Sequence, residues 1–158
     1  MRLFSYSPHA GFTLLEVLVV LVITTILTSL GSQALTQWQY RQQVKATASD
    51  LTNFLNRLRQ QANRYHLTIS FNASLNDEKS IVKATSEPRA GRTEQWGWQP
   101  SEPKVALLAM VGEPRFFGKH GTAWPGSFEV GNHVTRWRII ISTYGRVRYC
   151  ESLDKRCH

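Results

Sequence analysis

A chain of 158 residues, 42% of them hydrophobic, has room for one domain with a modest core and not for several. Its formal net charge of +8 is unevenly spread: residues 1–30 sum to zero, 33–66 to +4, 67–111 to zero and 112–158 to +4. The basic excess in the second and last of these segments invites an anionic partner, although a solvated basic face has the same composition.

The first element is the run "AGFTLLEVLVVLVITTILTSL", residues 10–30. From Phe12 to Leu30 only Glu16 is charged, and a helix over this stretch is about 28 Å long, enough to cross a hydrocarbon core of about 30 Å. A carboxylate inside a membrane helix costs about 2.5–3.5 kcal/mol on insertion scales, so something should offset it. A secretory signal cut at Ser32-Gln33-Ala34 would release a soluble domain beginning near Leu35. Against that, the apolar run exceeds the usual h-region of about 7–15 residues, and an acid is unfavourable there. No proline occurs between Phe12 and Tyr65. The membrane half and the soluble half therefore read as one long helix, with Gly31-Ser32 the place for a bend.

The residues Gly11-Phe12-Thr13-Leu14-Leu15-Glu16, behind a short leader containing Arg2, resemble the type IV prepilin signature. The resemblance implies that prepilin peptidase cuts after Gly11, that Phe12 is then N-methylated, and that the whole apolar helix is retained. It also implies a partner for Glu16. The charged amine of Phe12, in the same subunit or a neighbour, would recover much of the desolvation cost. Glu16 is then an assembly residue that sets register in a helical bundle. The expected organisation is a leader peptide at 1–11, a transmembrane and assembly helix at 12–30, an amphipathic helix at 31–66 and an antiparallel β domain at 67–158.

Beyond the apolar run, Val44, Ala48, Leu51, Leu55, Leu58, Ala62 and Tyr65 recur every three or four residues. That is one face of an amphipathic helix, and it needs a sheet to cover it. Strands are expected at "HLTISF" (66–71) and "SIVKAT" (80–85), joined through Asn76-Asp77-Glu78 as a hairpin. Residues 86–94 read as a loop, and "QWGWQ" (95–99) and "KVALLAMV" (104–111) as two further strands. Residues 112–126, rich in Gly, Pro and aromatics, read as an irregular connection. The last strands are "SFEV" (127–130), "TRWRIIIS" (135–142) and "RVRYC" (146–150), the final two turning at Thr143-Tyr144-Gly145. The fold class is α+β, with a long N-terminal helix packed on antiparallel sheet.

Catalytic motifs find no match: there is no HExxH, no GxSxG and no phosphate loop. The histidines His9, His66, His120, His133 and His158 lack metal-ligand spacing. Cys150 and Cys157 fit a disulfide in an oxidising compartment such as a bacterial periplasm. A zinc site would need two more ligands, of which His158 supplies one at most. No metal or cofactor and no enzymatic activity are expected. In "YGRVRYC", Gly145 suits a turn, and Arg146 and Arg148 project from one strand face about 6.5–7 Å apart, close to one phosphate step of a nucleic-acid strand. Arg136 and Arg138 on the preceding strand would extend that row.

The C-terminal third, through "FFGKHGTAWPGSF", "RWRIIISTYGRVRYC" and the final cysteine pair, resembles the FimT/GspH-like branch of minor pilins and pseudopilins, including the PpdA-type proteins. In some FimT-type pilins a GRxR motif is implicated in binding incoming DNA, and Gly145, Arg146 and Arg148 match it. The combined expectation is a minor type IV pilin taking part in pilus assembly or initiation at the tip. Its expected partners are other minor pilins and the major pilin, prepilin peptidase and an inner-membrane assembly platform. It would sit as a single-pass protein of the bacterial inner membrane, with its C-terminal domain periplasmic, before passing into the fibre. Two alternatives remain: a DNA-binding minor pilin of a natural-transformation pilus, and an H-type minor pseudopilin of a type II secretion system.

Overall fold

The computed structural model describes residues 13–76, 79–88, 91–154 and 157. Gly11 and Phe12, and Asp77-Glu78 of the expected hairpin turn, lie outside the described residues. Among the described residues one helix, α1 (Leu14–Tyr65), precedes nine strands. The chain divides into two compact units, one ending at Gln37 and the other running from Trp38 to His158.

The helix is punctuated at both ends by side-chain and backbone chemistry. Thr13 caps the start: the Glu16 amide donates to the Thr13 carbonyl at 3.0 Å and lies 3.3 Å from its Oγ1, which satisfies one of the orphan amides of the first turn. The end is a left-handed residue, His66, at φ 54°. It turns the chain so that the Leu67 amide reaches back to the Ala62 carbonyl at 3.0 Å, as in a Schellman cap. Between Trp38 and Tyr65 the apolar spacing does what periodicity predicts. Val44, Ala48, Leu51, Leu55, Leu58 and Ala62 are all buried. Tyr65, the last residue of the helix, is the exception at 47% exposed. The buried face is also wider than the stripe. Phe54, Thr47 and Thr52 join it, and each threonine hydroxyl donates to the carbonyl four residues earlier, the local bond that makes a buried hydroxyl tolerable.

Two antiparallel sheets complete this unit. The first has the order β3-β2-β1-β5-β6, from β1 (Thr68–Asn76), β2 (Lys79–Ser86), β3 (Gln95–Trp98), β5 (Arg115–Phe117) and β6 (Thr122–Trp124). The second has the order β4-β7-β8-β9, from β4 (Ala106–Val111), β7 (Gly126–Gly131), β8 (Arg136–Ile141) and β9 (Val147–Glu151). Alternation places Ile69, Phe71, Phe116 and Val82 of the first sheet and Phe128, Val130, Ile139 and Ile141 of the second in one core with the helix. The sheets meet where the Phe71 ring stands edge-on to Phe116 at 5.3 Å and Phe128 at 6.2 Å.

Residues 112–126 are not irregular as expected; they hold the β5–β6 hairpin. Three-residue strands are too short to show alternation in a sequence, and only pairing reveals them. Phe116 points into the core while Arg115 and Phe117 face out. Gly118 at the turn has its amide on the Leu67 carbonyl at 2.9 Å. A Cβ there would stand 1.9 Å from the Ala62 carbonyl oxygen, so the hairpin can seat on the helix end only because this residue has no side chain.

Candidate functional site

Three groups of residues carry the chemistry that the sequence offers. The first is the start of α1. Every valine, leucine and isoleucine with a described side chain from Leu14 to Leu27 is exposed, at 46–83%. The hydroxyls among them are satisfied internally: Thr24 donates to the Val20 and Leu21 carbonyls, Thr25 to Val22 and Thr28 to Thr24. Glu16 is thus the charged group of an otherwise apolar surface, and it lies in the first helical turn, where the positive end of the helix dipole favours an acid. Among the described residues no helix is both long and apolar enough to cross a membrane. The described side chains of this run extend from Leu14 to Thr28, about 22 Å of helix against a hydrocarbon core of about 30 Å.

The second group is the arginine turn between β8 and β9. Gly145 adopts φ 69° and its amide donates to the Ser142 carbonyl at 2.8 Å. Ser142 and Arg146 then close the hairpin, the Ser142 amide donating to the Arg146 carbonyl at 3.0 Å and the Arg146 amide to Ser142 Oγ at 3.2 Å. Pairing of Ile140 with Arg148 and of Arg138 with Cys150 puts Arg136, Arg138 and Arg148 on one face of the sheet, and Arg146, just before β9, lines the same cleft as Arg148. They are not equivalent. Arg136 and Arg138 both reach Glu129 on β7, at 3.8 and 3.5 Å, and that carboxylate neutralises part of their charge. Arg146 and Arg148 have no carboxylate within ion-pair distance among the described residues. With Ser142 and the 81% exposed Tyr144 they line an open cleft of about 340 Å³.

Two residues that contact this group, Arg59 at the turn and Glu129 at the β8 arginines, escape a sequence reading. Arg59 of α1 donates from Nη2 to the Tyr144 carbonyl at 3.4 Å, and a Cβ on Gly145 would lie 3.2 Å from its Nε. The signal for Arg59 was weak: it falls between Leu55 and Ala62 at the margin of the buried stripe. Glu129 had no signal at all, because only the register of β7 against β8 brings it to the arginines. On the other side, the Ala123 amide of β6 donates to the Thr143 carbonyl at 2.8 Å. The turn is therefore held by the helix and by both sheets.

The third group is the cysteine pair. Cys150 and Cys157 are joined in a disulfide with Cα atoms 5.7 Å apart, and Cys157 is buried. A cystine has no thiolate to offer a metal, and His158 lies outside the described residues. Among the described residues no group of three or more His, Cys, Asp or Glu is placed to hold a metal ion.

Residues 6–32 match the prokaryotic N-terminal methylation motif, a stretch that contains Gly11, Phe12 and Glu16. Two solved structures resemble this fold over about three quarters of the chain. One is the minor pseudopilin EpsH from the type 2 secretion system of Vibrio cholerae, with a TM-score of 0.57, 12% identity and coverage of 71% of this chain and 99% of that one. The other is the type IV minor pilin FimU of Pseudomonas aeruginosa PAO1, with a TM-score of 0.51, 15% identity and coverage of 77% of this chain and 99% of that one. The fold is type IV pilin-like. At these identities the likeness is one of fold, and the N-terminal match is what adds a chemical statement: the motif is that of a chain methylated at its processed end. No curated protein sequence matches the chain significantly.

Proposed function

We propose that this chain is a minor pilin-type subunit that joins the initiation or tip complex of a type IV pilus. The observation that carries the reading is the union of the methylation motif at residues 6–32 with an apolar helix surface exposed all round. Covering eleven aliphatic side chains is worth on the order of 15–30 kcal/mol at about 1.5–3 kcal/mol each, so the segment has to lie in lipid or against other helices. Cleavage after Gly11 leaves Phe12 as the new end, and its amine offsets the Glu16 carboxylate within the bundle. Residues 12–30 form the single inner-membrane span, and the sheet domain lies in the periplasm. Other minor pilins, the major pilin, prepilin peptidase and an assembly platform are its partners.

Mass spectrometry of the membrane-extracted protein tests this directly. The mature chain should begin at methylated Phe12, replacement of Gly11 should block processing, and Glu16→Ala should leave cleavage intact while abolishing incorporation into fibres. A mature end near Leu35 would sink the reading.

Two further readings have their own supports. Likeness to EpsH supports an H-type pseudopilin of a secretion system, which uses the same anchor and the same scaffold; fibre composition in the native host distinguishes the two. The cleft at Ser142, Tyr144, Arg146 and Arg148 supports a DNA-binding minor pilin, since two guanidiniums lining one cleft, with no carboxylate in ion-pair distance among the described residues, suit a nucleic-acid backbone. Affinity for a DNA oligonucleotide should then fall with salt and drop at least tenfold in an Arg146→Gln, Arg148→Gln double variant. Unchanged affinity removes this reading and leaves the anchor reading intact.

A further inference from the structure

We propose that the outer edge of β3 is a docking site for an extended, acidic segment of a partner protein, which adds a sixth strand to the first sheet. In that sheet β3 pairs with β2 alone. The opposite edge is covered, since β6 donates through Ala123 to the Thr143 carbonyl at 2.8 Å. Edge strands are ordinarily guarded by a lysine, a proline or a bulge. Gln95-Trp96-Gly97-Trp98 has no charge and no proline, and its pairing with β2 runs without a register shift. Among the described residues no backbone group of β3 bonds to any element other than β2.

The surroundings match what an added strand needs. Gly97 is exposed, and a Cβ built on it meets nothing within 4 Å, so another backbone can approach closely. Beside β3 lies a groove of about 320 Å³ between the sheet edge and the helix, lined by Phe54, Arg57, Leu58, Gln61, Trp96 and Gly97. A strand laid about 4.8 Å outside β3 places alternate side chains over this groove. One apolar side chain there would rest on Phe54, Leu58 and Trp96, the arrangement of strand-addition recognition.

Charge selects the occupant. Arg57 at the rim is exposed and has no carboxylate within ion-pair distance among the described residues. A second copy of this chain pairing edge to edge would bring two Arg57 side chains to the same junction, which like-charge repulsion opposes. An acidic residue flanking the apolar one meets Arg57 favourably.

The test uses the full chain in detergent micelles and fluorescein-labelled heptapeptides with capped ends. One peptide alternates Glu and Val, and its counterpart alternates Lys and Val. Anisotropy should show saturable binding of the Glu peptide, at least tenfold weaker binding by Arg57→Glu protein, and no saturable binding of the Lys peptide. N-methylating alternate amides of the Glu peptide should abolish binding in one register and spare it in the other, a result that backbone pairing requires and a merely electrostatic contact does not. Absence of saturable Glu-peptide binding, equal binding of both peptides, or indifference to Arg57→Glu or to N-methylation overturns the proposal. So does a dimer dissociated by Trp96→Ala, which would assign the edge to a second copy.

Discussion

The two halves of α1 share one backbone and differ in almost everything their side chains do. From Leu14 to Ile23 aliphatic residues follow one another with Glu16 as the one interruption, and all of them are exposed. After Trp38 the apolar residues keep to one face, and Val44, Leu51 and Leu55 have no exposure at all. Helix formation is therefore no guide to where a segment belongs. The distribution of apolar positions around the axis separates a helix that needs its own domain from one that needs lipid or other helices. The same contrast gives Glu16 its meaning. An acid on a two-faced helix is ordinary surface, whereas on an all-apolar one it calls for a counter-charge.

Substitutions that touch only one half break or sharpen this contrast. The largest effect is expected from Gly118→Ala, because the new methyl group would lie 1.9 Å from the Ala62 carbonyl oxygen and 2.9 Å from that of Leu67. Neither backbone can yield without displacing the β5–β6 hairpin, so a loss of about 4 kcal/mol or more is expected. It would be read as a collapsed urea midpoint followed by tryptophan fluorescence. Next comes a matched pair. Leu55→Ala, at a position with no exposure, should cost about 2–5 kcal/mol, while Leu21→Ala, 60% exposed, should change the stability read from the same transition by less than about 0.5 kcal/mol. If the two cost the same, the halves are not distinct in the way their burial implies. The remaining effect is a gain, smaller than the cost of Leu55→Ala. His66→Gly relieves a side chain held at φ 54° and should stabilise the sheet domain by about 0.5–1 kcal/mol, leaving the processed N-terminus unchanged.

Much of this architecture was legible in the sequence. The uninterrupted helix, its buried stripe, the β1–β2 hairpin and the β7–β8–β9 meander all announce themselves through period or turn chemistry. The β5–β6 hairpin did not, because strands of three residues carry too few positions for alternation to register. Among the arginines, the sequence placed four on one face. It had no means of telling that Glu129 occupies two of them or that Arg59 braces the turn from 85 residues away.

What the sequence alone determined, then, is local and periodic: the motif at Gly11–Glu16, the charge isolated in an apolar run, the repeat that buries one helix face, and a glycine free to turn before Arg146. Tertiary structure decided what depends on pairing across distance. It set which strand lies at an open edge, which arginines face a carboxylate, and why residue 118 has no room for a side chain. The physical reason is that periodicity is written in neighbouring residues, whereas register and close approach arise only once segments far apart in the chain are packed together.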